Sequence, residues 1–453
     1  MPDLRASLAR TIGGLSRISG RGGGTTLPGR AMLAMDPKAL RRLGSQLADG
    51  SVLVSATNGK TTTASMLSRI LESSGQTVLA NGAGSNMPWG VVTALLGDRD
   101  ALGLFEVDEA WLPEVAGSLD PRVIILGNLF RDQLDRYGET ESIASRWSEL
   151  VAGFGTETVL AANADDPLIA SVGEGSHGRV IYFGIEDPGI SLGAPPHAAD
   201  ARRCRSCGSR LVFERAYLGH LGEYHCPSCG RTRPKPDLIA SEVELRGAES
   251  VAATLTYGSD RYGLELPLPG VYNLYNALAA IAGAVAVGVD VPTALLALET
   301  LPPVFGRAEE VRLPEGEARI FLVKNPVGTN EVLRCLDDQA GPLDLWIALN
   351  DRIADGRDVS WIWDADFEKL AGHTRSVVCS GTRAAEMAVR LKYAGVPSDS
   401  IRVDSEVGRS MVSATGSATG TLYALPTYTA LLELKDFLAA ERDLQPFWEA
   451  SNP

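Results

Sequence analysis

The chain has 453 residues, 45% of them hydrophobic and 22% charged, with 42 Lys and Arg against 56 Asp and Glu for a formal net charge of −14. Such a composition excludes disordered and fibrous classes, and the length predicts two or three domains with separate cores. The acidic balance argues against general affinity for nucleic acid, because backbone binding needs a basic surface that releases counterions from phosphate.

Residues 1–45 read as a helical lead-in. Leu8, Ile12, Leu15 and Ile18 are spaced like one helix face and separated by polar residues, which is not the core of a signal peptide. A Gly-rich break at Gly20–Gly24 precedes a short helix around Pro37–Leu47. The first 42 residues carry Arg5, Arg10, Arg17, Arg21, Arg30, Lys38, Arg41 and Arg42 against only Asp3 and Asp36. Packing on the next domain is the expected fate of this stripe, and contact with anionic lipid is the alternative. The expected location is the cytoplasm, which the lipid alternative narrows to the inner face of the cell membrane. The longest small-apolar stretch, Ala277–Val289, is too short to span a bilayer.

Residues 46–305 alternate apolar strands with Gly-containing turns and helices, which predicts an α/β domain with a parallel sheet and crossover helices. Strand candidates run from Val52–Val54 through Leu102–Val107, the Ile124 region, 159–166 and 180–184, with further segments at Ile239–Leu245 and Val251–Tyr257. A long Ala-rich helix follows from Tyr272 to about Val287. The stretch 200–235, rich in Pro, Gly, Arg and Cys, breaks the rhythm and reads as an inserted module. After a hinge at Leu301–Gly306, residues 306–453 repeat the strand and helix pattern as a smaller α/β domain.

The sharpest local signal is Thr57-Asn58-Gly59-Lys60-Thr61-Thr62-Thr63, directly after an apolar strand and before a helix. A tight turn there presents backbone N–H groups to phosphate, Lys60 reaches the β and γ oxygens, and the Thr61 hydroxyl can hold Mg²⁺. Val54 stands where the full motif has its first Gly, so a plain strand-to-helix turn is the competing reading. Glu106, at the end of the Leu102–Val107 strand, is the candidate metal carboxylate, because a parallel sheet delivers residues to its ligand-binding edge there.

The second signal is Cys204, Cys207, Cys226 and Cys229, two CxxC pairs separated by 18 residues. Each turn points two sulfurs at one ion, and four thiolates complete a structural Zn²⁺ shell, so a zinc ribbon is expected. His220 and His225 lie inside the module but outside that shell. Arg202, Arg203, Arg205, Arg210, Arg231 and Arg233 keep a nucleic-acid role open for it. Cys335 and Cys379 read as core residues, and with His373 the only histidine beyond residue 225, any glutaminase chemistry needs another chain.

These motifs, taken in order, resemble the Mur ligase family of ATP-dependent enzymes that activate a carboxylate and join it to an amine. The resemblance rests on TNGKTTT, Glu106, Asn128 in GNLFRDQLDRYGE, Asn163-Ala164-Asp165-Asp166, the run Tyr272–Leu278, and Gly306-Arg307. It implies that ATP is bound by Thr57, Asn58, Gly59, Lys60, Thr61, Thr62 and Asn128, with Asn273 at adenine and Arg307 at the phosphates. Gln133 replaces the usual histidine after the Asn128 strand. Lys324-Asn325-Pro326 stands where amino-acid-adding members have Asp-Tyr-Ala-His.

The cysteine insertion and the string from Leu349-Asn350-Asp351 to Trp361 resemble an amidating branch of the family. That likeness implies amidation of the D-glutamate α-carboxylate of the lipid II stem peptide to D-isoglutamine through an acyl phosphate, with ammonia from a GatD-like glutaminase subunit. Asp358 is then expected to orient the partner's catalytic histidine, with Asp355 in reserve. Without the family, Asp358 reads equally well as a helix N-cap. Two other readings stay open. One is a Mur-type ligase using another amine or acid, and the other is a non-enzymatic zinc-ribbon adaptor that binds nucleotide or nucleic acid.

Overall fold

The structure, a computed structural model, describes residues 5–11, 26–82, 85–131, 140–196, 199–301, 307–337, 339 and 341–442. Gly306, Gln133 and the side chain of Arg307 lie outside the described residues, as does most of the lead-in.

Eleven strands come from the first two thirds of the chain: β1 (Ser51–Ser55), β2 (Val78–Ala80), β3 (Leu102–Glu106), β4 (Val123–Leu126), β5 (Val159–Asn163), β6 (Val180–Ile185), β7 (Val212–Leu218), β8 (Leu221–His225), β9 (Leu238–Arg246), β10 (Ser250–Tyr257) and β11 (Asp260–Leu266). Nine of them form one sheet in the order β11-β10-β9-β6-β5-β4-β1-β3-β2. The strands from β2 across to β9 are parallel. Their middle members are buried throughout, as continuous runs such as Val52-Leu53-Val54 require when both sheet faces are covered.

The parallel sheet carries an antiparallel edge, where β9, β10 and β11 pair antiparallel. Their residues alternate between buried and exposed, and the connections of two to three residues are too short for a crossover helix. β11 carries little strand signal in the sequence, because Arg261 and Glu265 dilute its apolar residues.

Two apolar layers cover the faces. On one, the helix Lys60–Ser73 buries Met66, Leu67, Ile70 and Leu71 beside the long helix Val271–Val287. Full burial of each such side chain contributes roughly 1.5–3 kcal/mol before chain entropy is counted. On the other face, Ala6 and Ala9 of residues 5–11 share a core with Leu40, Leu43 and Val91. This described part of the lead-in therefore packs on the sheet domain.

The remaining strands are β12 (Arg307–Leu313), β13 (Gly316–Phe321), β14 (Leu343–Ala348), β15 (Thr374–Ser380), β16 (Ile401–Val403) and β17 (Leu422–Pro426). They form a second sheet in the order β12-β13-β17-β14-β15-β16, parallel except for the β12–β13 hairpin. β7 and β8 form a separate hairpin within the cysteine-containing insertion, which lies between β6 and β9. Cys335 and Cys379 are buried, and burial pushes the Cys379 thiol up to about 12. Among the described residues, no helix is long and apolar enough to cross a membrane.

Candidate functional site

β1 is paired with β3 on one side and β4 on the other, and successive connections leave it in opposite directions. A crevice therefore opens at its carboxyl end, where open α/β sheets bind ligands. The loop Ala56–Gly59 fills that end. Gly59 has φ +89, and a Cβ on it would lie 1.9 Å from Asn276 Oδ1, so both backbone and space require glycine. The first turn of the following helix points its free N–H groups at the crevice. Thr62 is fully buried and its hydroxyl finds no partner among the described residues, which fits a site shaped for an oxygen-rich anion.

Lys60 is 8% exposed, and its Nζ donates to Ala56 O at 2.5 Å and to Glu109 Oε2 at 2.7 Å. Burial opposes its charge, but Glu109, Asp108 and Glu106 outweigh burial and hold its pKa above the ordinary lysine value. Glu109 is correspondingly lowered, because Lys60 and Lys324 overcome its burial. Glu106, at the end of β3, accepts a hydrogen bond from Thr61 Oγ1 at 2.8 Å. Its carboxyl is raised, since burial prevails over Lys60, Thr61 and Lys324. Oxygen donors on Thr61 and Glu106, side by side under a phosphate loop, are the chemistry that Mg²⁺ takes.

Amide side chains brace the loop. Asn128 Oδ1 accepts from Asn58 N at 2.9 Å while its Nδ2 donates to Asn58 O at 3.0 Å. The Thr57 hydroxyl donates to Phe130 O and accepts from Phe130 N. From the second sheet, Asn325 exchanges side-chain hydrogen bonds with Asn58 at 2.9 and 3.3 Å, and Lys324 Nζ donates to Thr57 O at 2.9 Å. In the sequence Lys324 and Asn325 mark only a departure from a motif. Their positions show that the second sheet closes directly over the phosphate loop.

A pocket runs from Asn58 and Gly59 to Tyr272, Asn276, Phe321 and Val327. Asn276 lines it, whereas Asn273 is fully buried, donating to Pro269 O and accepting from Asn276. The two are one helical turn apart, and spacing could not tell which faces the cavity. Asp165 and Asp166 serve as frame: Asp166 caps the helix Pro167–Gly173 and accepts from Leu129 N, while Asp165 accepts from Tyr275 OH and Arg233 Nε, both at 2.6 Å.

The Sγ atoms of Cys204, Cys207, Cys226 and Cys229 all lie within 4.8 Å of one another, and the pairs Cys204–Cys229 and Cys207–Cys226 stand at 3.6 and 3.4 Å, close to the roughly 3.8 Å between sulfurs on a tetrahedral ion with metal–sulfur bonds of about 2.3 Å. Hydrogen bonds from Ser209 hold the Cys207 thiol down to about 6, while at Cys229 the backbone hydrogen bond of Arg231 is outweighed by Cys226 and Cys204, which push that thiol up to about 11. The surrounding arginines bind the module to the large sheet: Arg233 to Asp165 and Glu186, Arg205 to Ser145 and Ser171, Arg231 to Glu174.

Three carboxylates occupy the loop after β14. Asp355 is buried and accepts from both N and Oγ1 of Thr429. Asp351 accepts from Thr382 Oγ1 at 2.8 Å. Asp358 is exposed, and its Oδ1 accepts from Ser360 N at 2.8 Å, which holds its pKa below the ordinary value. It thus shapes the turn into the short helix Ser360–Trp363 while its carboxylate faces solvent.

The crevice, the phosphate loop and two α/β sheets, one after the other in the chain, define an ATP-dependent ligase of the Mur type. The Mur ligase middle domain matches residues 54–205, and the MurT ligase C-terminal family matches residues 322–431. The chain is 31% identical over 449 residues, 97% of its own length and 98% of the relative, to the lipid II isoglutaminyl synthase (glutamine-hydrolyzing) subunit MurT of Streptococcus pneumoniae. It is 32% identical to the Staphylococcus aureus (strain N315) protein of the same name, with 96% of each chain covered. Among solved structures, a pseudomurein peptide ligase type C from Methanothermus fervidus superposes with a TM-score of 0.68 at 24% identity, covering 88% of this chain and 80% of that one. The MurF ligase of Thermotoga maritima in complex with ADP gives 0.62 at 15% identity, covering 90% and 84%. The chain belongs to the MurT family of Mur ligases.

Proposed function

We propose that this chain amidates the D-glutamate α-carboxylate of the lipid II stem peptide to D-isoglutamine, using ATP and ammonia supplied by a GatD-like glutaminase subunit. The observation that carries the proposal is the likeness to two MurT subunits over almost the whole chain, with the phosphate loop intact. A carboxylate is a poor electrophile with a poor leaving group. One of its oxygens attacks the γ-phosphorus of ATP, ADP departs, and an acyl phosphate forms. The nitrogen of ammonia then attacks the acyl carbon, the C–O bond to phosphate breaks, and the amide is left after loss of a proton.

In this reading the Lys60 ammonium and the N–H groups of the loop neutralise charge building on the phosphoryl oxygens. Asn58, Gly59, Thr61 and Thr62 cradle the phosphates, and Asn128 fixes the loop. Asn273 is the residue proposed at adenine, and Asn276, whose Oδ1 crowds Gly59, lines the pocket beside the loop. Thr61 and Glu106 would hold Mg²⁺, which supplies further charge neutralisation when bound. Lys324 adds a second cation from the opposite sheet. The four cysteines would hold a structural Zn²⁺ that cross-links a module whose own apolar core consists of little more than Leu211, Tyr224 and Phe213. The working division is a lead-in at 1–45, an ATP-binding domain at 46–305 and a C-terminal domain at 306–453.

Asp358 is the proposed link to the partner, completing a Cys-His-Asp triad between chains. Its exposure supports this over Asp355, which Thr429 engages. Beside it, exposed Trp363 stacks edge-on with exposed Tyr393 at 5.9 Å, an apolar patch suited to the glutaminase. The test is amidation of lipid II with ammonium or with glutamine plus glutaminase. Asp358→Asn is expected to lose only the glutamine-supported reaction. Failure of both nitrogen sources with the unmodified chain would overturn the assignment.

A further inference from the structure

The cysteine-containing insertion reaches into the nucleotide pocket. β7 and β8 meet at a two-residue tip, Gly219-His220, with Leu218 paired to Leu221. Gly219 has φ +58, and a Cβ there would lie 3.0 Å from Phe130 Cε1 and 3.3 Å from Val327 Cγ1. The tip is therefore wedged between the loop after β4 and the first helix of the second sheet. His220 is fully buried with its ring 4.8 Å from that of Phe130, and its Nε2 is 3.3 Å from Asp166 Oδ2, an electrostatic contact without hydrogen-bond geometry. Phe130 is the residue whose backbone grips Thr57 at both N and O. On the other side, Arg334 donates to Tyr217 O at 3.2 Å and to Ile190 O at 2.8 Å.

Leu218, one residue before this wedge, lines the same pocket as Gly59, Asn276, Tyr272 and Phe321. The pocket joins polar groups of Asn58, Asn128, Asn276 and Lys324 to apolar side chains that include Leu218, Phe321 and Val327. Such a mixed lining beside the phosphate loop suits a nucleotide with its phosphates on the loop and its base against the apolar side chains.

We propose that Leu218, carried by the insertion, is a positioning residue that packs against the nucleoside of ATP and sets its affinity. This inference rests on the reading of the phosphate loop as an ATP site. The insertion then supplies a third wall to a pocket otherwise made by two sheets, and its hairpin has a role beyond stability. The proposal concerns the nucleoside and leaves the phosphates to Lys60 and the loop, so the two can be separated by experiment.

The experiment measures equilibrium binding of ADP and of inorganic tripolyphosphate to the full chain, with thermal unfolding recorded in parallel. Leu218→Ala is expected to weaken ADP about tenfold, the scale of one lost apolar contact of about 1.4 kcal/mol, and to leave tripolyphosphate binding unchanged. Leu218→Met, similar in volume, is expected to restore ADP binding to within about twofold. Should Leu218→Ala unfold, Leu218→Phe adds volume instead of a cavity and carries the same expectation of selective ADP loss. Unaltered ADP binding in a folded variant, or equal loss of ADP and tripolyphosphate, would overturn the proposal. Lys60→Ala tests the underlying reading separately: if it binds tripolyphosphate like the unmodified chain, the ATP-site assignment fails rather than the role of Leu218.

Discussion

The phosphate loop and the four-cysteine insertion are both organised around a polar centre, and they are held in opposite ways. The loop takes its shape from side chains that arrive from far away: Asn128 lies 70 residues on and Asn325 267 residues on from Asn58. The insertion gathers four sulfurs between Cys204 and Cys229 with a few apolar residues around them, the donor set proposed to hold one Zn²⁺. A site built by distant hydrogen bonds is preorganised only when the whole molecule is folded. A module built by one ion depends on a single event.

With the four cysteines proposed to hold a structural Zn²⁺, removing that ion is the largest perturbation this contrast predicts. Cys204→Ser, or a strong chelator, is expected to take metal content from about one zinc per chain to none by elemental analysis. The loss of a cross-link whose free energy in small domains is on the order of 10 kcal/mol should unfold the insertion ahead of the sheets. A single thermal transition unchanged in midpoint would show that the cysteines need no metal.

Lys60→Ala is expected to lower ATP turnover about a thousandfold while metal content stays at its original value, since its effect is confined to the loop. Phosphate release together with elemental analysis checks both halves. A third change lies outside both regions. Glu331 is buried beside Arg334 with Oε2 lacking a partner among the described residues, and burial pushes its carboxyl up to about 7 from an ordinary 4.5. The folded chain holds that proton more tightly than the unfolded chain, so the stabilisation is full below 4.5 and is lost as pH rises through 7. Glu331→Gln should therefore stabilise by up to about 3 kcal/mol at pH 8, with the gain shrinking toward pH 4.5, as urea unfolding at the two pH values would reveal.

Asn128→Ala gives the smallest effect. It leaves Asn58 N–H without its acceptor, at a cost of about 1–2 kcal/mol, read as roughly tenfold weaker nucleotide binding with little change in unfolding temperature. Equal losses in both would mean that the brace serves the fold at large.

The same contrast explains what could be read from the residues alone. The buried parallel strands, the loop after β1, the carboxylate ending β3 and the four cysteines all depend on local order, and each was legible. The antiparallel edge was not, because β9 and β10 carry apolar segments that suit either direction until the length of the turns is weighed. Which of Asn273 and Asn276 lines the pocket, and which of Asp355 and Asp358 meets solvent, depends on partners elsewhere in the chain. Thr429 buries Asp355 from 74 residues away. Leu218 gave no signal, since an apolar residue in a short strand looks the same whether its neighbour is core or ligand.

One consequence follows from the way β6 and β9 lie side by side. They are parallel, with Phe183 opposite Leu238 and Ile185 opposite Ala240, so the chain leaving the end of β6 must travel back along the sheet before β9 can begin. Elsewhere in such sheets a helix makes that return journey. Here the stretch that makes it contains the cysteine module. A shortened relative could not arise by simple excision with a tight turn to seal the gap, because such a turn would reverse β9 and with it the two strands hung upon it. Any lineage that dispensed with the whole stretch would have to invent another crossover in the same place.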